Sequence, residues 1–226
     1  MKSILISIKP KWCYKIASGE KAVELRKSAP KIQPPFKCYI YCTSCRSHFS
    51  VASGVCFGND ELYRNAQREI KYGSSVELMC CDNYDETYFL NRKVIGEFIC
   101  DEIREYYPIS NIDPINKPYG DDILASSCVS AEELNDFAWS GSGYGKLYGW
   151  HISNLEIFDN PKELSHFVRI CPEWEKEPLT DKCYACEHCY RNNEAYATEC
   201  DCEGEIHIKQ APQSWCYVEE NENDRS

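Results

Sequence analysis

Ile4, Ile6 and Ile8 alternate with Leu5 and Ser7, a period of two that predicts a strand. The pattern then lengthens. Pro10 suits the first position of a helix, Trp12, Cys13, Ile16 and Ala17 give that helix an apolar stripe, and Gly19 ends it. Ser18–Lys27 reads as a glycine turn feeding a second strand, with Val23 and Leu25 on one face and Glu24 and Arg26 on the other. Pro30, Pro34 and Pro35 mark a loop, and Lys37–Thr43 is a third strand.

Residues 46–91 interrupt this order as an insertion, in which Asp60 is placed to cap a helix carrying Leu62, Ala66 and Ile70, stopped by Gly73. Strand character resumes over Val94–Cys100. Residues 105–128, rich in Pro, Asp, Asn and Tyr, predict a long surface loop. Ser130 and Glu133 form a capping box ahead of Leu134, Phe137 and Ala138, which predicts a short helix. Trp150–Phe158 is expected to be one strand and Asn160–Pro161 the start of another helix carrying Leu164 and Phe167. Ser214–Val218 is the last strand, and Glu219 onward a mobile charged tail. Five or six short strands with few helices predict an α+β fold, a small mixed β-barrel with flanking short helices and long insertions.

Charge changes the picture more by its placement than by its total. The net charge of −11 argues against indiscriminate binding to nucleic acid. Residues 1–37, however, hold nine Lys and Arg against Glu20 and Glu24, a balance of +7 that leaves −18 for the other 189 residues. One basic face on an acidic body suits a specific polyanion site. Lys21, Glu24 and Arg26 set a carboxylate between two cations, an arrangement suited to an anionic or hydrogen-bonding ligand; as a solvated strand face it would amount to one ion pair worth roughly 0–1 kcal/mol. No run approaches 18 apolar residues and no small-residue cleavage site follows the N-terminal apolar patch, so the expectation is a cytoplasmic protein with no membrane partner.

Three segments together resemble the ASCH domain, a branch of the PUA-like superfamily. Ile4–Pro10 is similar to the family's opening strand and helix entry. Gly19–Arg26 carries its G-x-K-x-x-E-x-R signature, and Lys93–Phe98 is similar to its V-x-G-E-F strand. Ala211–Val218 resembles the closing segment of a phage and Gram-positive bacterial subset with a Cys-rich C-terminal segment. The resemblance implies a single ASCH/PUA-like domain over 1–218, with the insertion 46–91 and the Cys-rich segment 171–205 set into it and 219–226 a disordered acidic tail; the chain is expected to be a monomer. It also implies binding of RNA or a modified nucleoside in a cleft lined by Lys9, Lys21, Glu24, Arg26 and Glu97, where Trp150, Tyr144 or Trp215 would stack on a base. One branch hydrolyses the acetyl amide of N4-acetylcytidine with a lysine, a threonine three residues later and a distant glutamate. Lys21 matches that lysine, Glu24 stands at the threonine position, and Glu97 is the candidate for the distant carboxylate. A ribonuclease activity, with Glu24 in acid–base work beside Lys21 or Arg26, is the other catalytic alternative.

The sixteen cysteines, with no secretion signal, point to thiols or metal ligands. Cys183, Cys186, Cys189, Cys200 and Cys202 fall within 20 residues that hold little apolar sequence. A tetrahedral zinc site would supply the missing folding energy there, and four thiolates at about 2.3 Å would make it structural. Cys183, Cys186, Cys189 and Cys202 are the expected ligands, with Cys200 or His188 as substitutes; an iron–sulfur cluster is the lesser alternative. A second site would draw on Cys42, Cys45, His48, Cys56, Cys80 and Cys81. A third functional class is a protein-interaction module whose contact surface is the zinc knuckle.

Overall fold

The structure is a computed structural model that describes residues 3–44, 50–52, 55–57, 88–90, 92–108, 119, 121–141, 143–170 and 205–220. The alternation at the N-terminus becomes β1 (Ser3–Ile8), followed by α1 (Pro10–Ala17), β2 (Val23–Arg26) and β3 (Phe36–Cys42). Short strands β4 (Ser50–Ala52), β5 (Val55–Phe57) and β6 (Tyr88–Phe89) pair among themselves. β7 (Val94–Cys100), β8 (Ile103–Tyr106), α2 (Asp121–Ser127), α3 (Ala131–Ala138), β9 (Leu147–His151) and β10 (Ser153–Lys162) follow. A 3₁₀ turn, β11 (Phe167–Ile170), β12 (Glu205–His207) and β13 (Trp215–Glu220) complete the order.

The fold is α+β, but the hydrogen-bonded sheets are open where a closed barrel of five or six strands was expected. Among the described residues one sheet has the order β10-β7-β3-β1-β13-β11-β12, and β2-β9-β8 and β4-β5-β6 are separate three-stranded sheets. β1 is parallel to β3 and antiparallel to β13. The chain passes from the small sheet to the large one at Ile152: Trp150 pairs with Glu24 and Ile103, whereas Ser153 pairs with Ile99. The segment expected as one strand is therefore two, in different sheets.

Period-two alternation gives the seven-stranded sheet two apolar faces. Ile4, Ile6, Ile8, Cys38, Ile40 and Cys42 face α1 and the small sheet, in a core that includes Cys13, Ile16 and Trp150. Leu5, Tyr39, Tyr41, Val94 and Val218 face the other way and pack with Phe167 and Ile208. A third core joins Val23 and Leu25 to Ile123, Leu134, Ala138 and Tyr144 of the α2–α3 region. Gly96 sits where β10 crosses β7: a Cβ there would lie 2.3 Å from the Glu156 carbonyl oxygen, so no larger residue fits without a backbone shift.

Three further expectations are corrected. The 105–128 loop contains the end of β8 and all of α2. Asn160 and Pro161 belong to β10 rather than to a helix, which proline tolerates because β10 is a sheet edge that needs no donor on its outer side. Strand β13 continues through Glu219 and Glu220, the expected start of the tail. The capping box at Ser130 and Glu133 is present, with both reciprocal hydrogen bonds made. The predicted helix over Asp60–Ile70 and the cysteines 183–202 lie outside the described residues.

Candidate functional site

Helix α1 ends in a turn that only glycine makes cheaply. Gly19 has φ +77° and donates its N–H to the Ile16 carbonyl, the left-handed cap that lets the chain reverse. The reversal is held by the Lys21 N–H bonding the Lys15 carbonyl, and it turns the Lys21 side chain inward. Antiparallel pairing of β2 with β9 then places Glu24 opposite Trp150 and Arg26 opposite Tyr148. Because residues two apart share a face, Glu24 and Arg26 point with Trp150 into the space between the two sheets, while Val23 and Leu25 pack beneath α3.

Lys21, Glu24 and Arg26 are 3%, 6% and 9% exposed. Glu24 Oε2 lies 3.4 Å from Lys21 Nζ and Glu24 Oε1 lies 3.0 Å from Arg26 Nη2. Lys21 also donates to the Ser127 carbonyl at 2.6 Å, and its ammonium sits 5.0 Å from the Trp12 ring centroid. Arg26 Nη2 donates to the Ser7 carbonyl at 2.6 Å, and Nη1 to Ser214 Oγ at 3.5 Å. Burial pushes the Lys21 pKa below its ordinary value, and the Glu24 carboxylate partly restores it. Taken as charged, the triad is an interior cluster with a net charge of +1. Two donors near it have no acceptor: Arg26 Nε and the Trp150 indole Nε1 are buried without a hydrogen bond.

The other sequence candidates distribute unevenly. Trp215 is half-buried, its indole N–H bonds Ser28 Oγ at 3.2 Å, and its ring lies 5.8 Å from Trp150 and 5.6 Å from Tyr217. Trp150 is wholly buried, edge-on to Phe36 at 5.7 Å, so neither ring face is open to a base. Lys9 precedes α1 with its side chain in solvent. Glu97 does not join the triad. It lies opposite Tyr39 on the other face of the large sheet and pairs with Lys37 at 2.5 Å; strand alternation carries it away from the space that Glu24 occupies. Tyr144 lines a cavity on the far side of β2 with Glu132, Asn135, Asp136 and Trp139. The residues the pattern did not single out are Ser7, Ser127 and Ser214. Ser7 left a trace, as the polar residue that interrupts the apolar run Ile4–Ile8; the other two act through a backbone carbonyl and a loop hydroxyl, which carry no motif.

No protein-family model matches the chain, and no curated protein matches it. Among solved structures the chain is similar to the ASCH protein of Zymomonas mobilis, at 14% identity over 72% of this chain and 73% of that one, with a TM-score of 0.40. Two single-substitution variants of the same protein are also similar. One has 14% identity over 73% of this chain and 77% of that one, at a TM-score of 0.38; the other has 13% identity over 98% and 91%, at 0.44. Among the described residues no helix is long and apolar enough to cross a membrane.

Proposed function

We propose that this chain is an ASCH-type, PUA-like domain that binds RNA or a modified nucleoside at Lys21, Glu24 and Arg26. The observation that carries the proposal is the imbalance of the buried cluster: a net positive charge, with Arg26 Nε and Trp150 Nε1 both lacking acceptors. Leaving such donors unpaired costs about 1–3 kcal/mol each, so a ligand rich in acceptors recovers that cost. Nucleobase carbonyls and phosphate oxygens are such acceptors, and Glu24 is the one group in the cluster suited to an exocyclic amine. Half-buried Trp215, next to Ser214 and Trp150, is the ring from which a base would gain stacking. With all three charged residues under 10% exposed, binding requires an adjoining element to move aside.

The test is equilibrium binding of cytidine, N4-acetylcytidine and a short single-stranded RNA to the full chain and to Arg26→Ala. Loss of a charge-assisted hydrogen bond worth about 1.5–3 kcal/mol weakens the ligand that binds by roughly 10- to 100-fold. Arg26→Lys, which keeps the charge and loses the fork, is expected to fall between the two. Equal affinity in all three proteins overturns the site. A catalytic reading has one observation in its favour, the lowered pKa of buried Lys21. It requires product from acetylated cytidine or RNA, abolished in Lys21→Ala.

The spacing of Cys183, Cys186, Cys189 and Cys202 supports a structural zinc ion as an appendage to this domain. Purified protein is expected to be colourless and to carry about one zinc per chain, and Cys186→Ser to lose it. A metal-free wild-type protein with the same stability refutes the zinc reading.

A further inference from the structure

Helix α3 presents one face that no cation in the described structure neutralises. Glu132 and Asp136 stand four residues apart, so their carboxylates are neighbours on the helix surface, and neither has an ion-pair partner among the described residues. Asp136 lies in the last turn, where the helix dipole disfavours an anion, and that turn holds no basic residue. The nearby cations are engaged elsewhere: Lys11 pairs with Glu133, and Lys27 lies over the Phe137 ring at 5.4 Å.

The same two carboxylates line a cavity of about 610 Å³ with Asn135, Trp139 and Tyr144. Its aromatic wall is built by the loop after α3. Gly141 at φ +83° and Gly143 at φ +143° let the chain fold back, Ser140 N–H bonds the Gly143 carbonyl, and Trp139 bridges to Tyr144. The two rings meet edge-to-face at 5.1 Å, and Trp139 is left 46% exposed. Asn135 Oδ1 is buried in this wall and accepts no hydrogen bond. Two unpaired carboxylates, an orphan carbonyl oxygen and two aromatic rings have one common complement, a positively charged donor with an apolar stem.

We propose that the cavity between α3 and the Trp139–Tyr144 loop binds an organic cation, an alkylammonium or guanidinium group. Its donors meet the exposed carboxylates of Glu132 and Asp136, a turn of the Asn135 side chain brings Oδ1 to them, and its stem lies against Trp139. The site is on the opposite side of β2 from the Lys21–Glu24–Arg26 cluster and does not depend on it. The group belongs either to a free polyamine or to a lysine or arginine side chain of a partner protein.

The indole N–H resonance of Trp139, assigned by its absence in Trp139→Phe, reports on the site in ¹⁵N-labelled full-length protein. Titration with n-butylammonium and with methylguanidinium is expected to shift it saturably. Glu132→Gln and Asp136→Asn should each weaken that binding about five-fold, although Glu132→Gln gives up a favourable interaction with the helix dipole and Asp136→Asn relieves an unfavourable one, so that their small effects on melting temperature have opposite signs. Tighter binding of spermidine than of a glycine-flanked lysine or arginine peptide assigns a free polyamine; the reverse order assigns a partner's side chain. A shift no larger than sodium chloride produces, an equal response to 1-butanol, or indifference to both carboxylate substitutions overturns the proposal.

Discussion

Glu24→Gln is expected to destabilise the protein by about 3–5 kcal/mol near neutral pH, the cost of stranding buried charges whose counter-ion has gone. Among the described residues Glu24 is the only anion in contact with both Lys21 and Arg26, at 3.4 and 3.0 Å, and all three side chains lie out of solvent. The amide keeps the size and one acceptor but removes the charge that partly offsets burial of the lysine. The loss should therefore depend on pH. The Lys21 pKa in the folded protein is already below its ordinary 10.5, so between the folded value and 10.5 the unfolded chain binds more protons and stability rises with pH. Without Glu24 the folded value falls further and that window extends toward neutrality. Urea melts at pH 7 and pH 10 measure this: the deficit of Glu24→Gln should shrink at the higher pH, and Lys21→Met added to Glu24→Gln should recover part of it at pH 7. A deficit that is the same at both pH values would mean that packing, not charge, holds the site together.

The same cluster shows what can be read from residues alone. Its members follow from a glycine turn and a period of two, both visible in Gly19–Arg26. Its burial does not, because a polar strand face looks the same whether it meets water or a second sheet. What closes over Glu24 and Arg26 is β1, α1 and β9, brought together from positions more than a hundred residues apart. β1, α1, β3, β7 and α3 were legible because each repeats its period over six or more residues with a recognisable end. α2 was not, since in seven residues it buries Ile123 and little else against a polar background. The break at Ile152 leaves only a one-residue slip in the alternation, from Trp150 and Ile152 to Leu155 and Ile157, and that slip does not say that the backbone exchanges one set of partners for another. Glu97 was misplaced for a related reason. Its motif names the residue, but its face is set by the register of β7 against β3, including the shift at Ile40 and Tyr41.

Trp150→Ala is expected to cost about 3–5 kcal/mol, as for other large aromatic residues removed from a packed core. The ring is fully buried, packs against Phe36 and Trp215, and joins the β2-β9-β8 sheet to the seven-stranded one. Trp150→Phe isolates the indole from the ring. It keeps most of the apolar contact and deletes a buried N–H that has no partner, so the lost packing is offset by removal of an unsatisfied donor. Its cost should be well under half that of the alanine variant, read from denaturant midpoints at constant m. Affinity gives the second half of the experiment. If the ligand supplies the acceptor that Trp150 Nε1 lacks, Trp150→Phe must weaken cytidine or RNA binding several-fold while remaining nearly as stable as the parent. A phenylalanine variant that binds like the parent makes Trp150 a core residue and no more, and leaves Arg26 Nε as the single unpaired donor of the cluster.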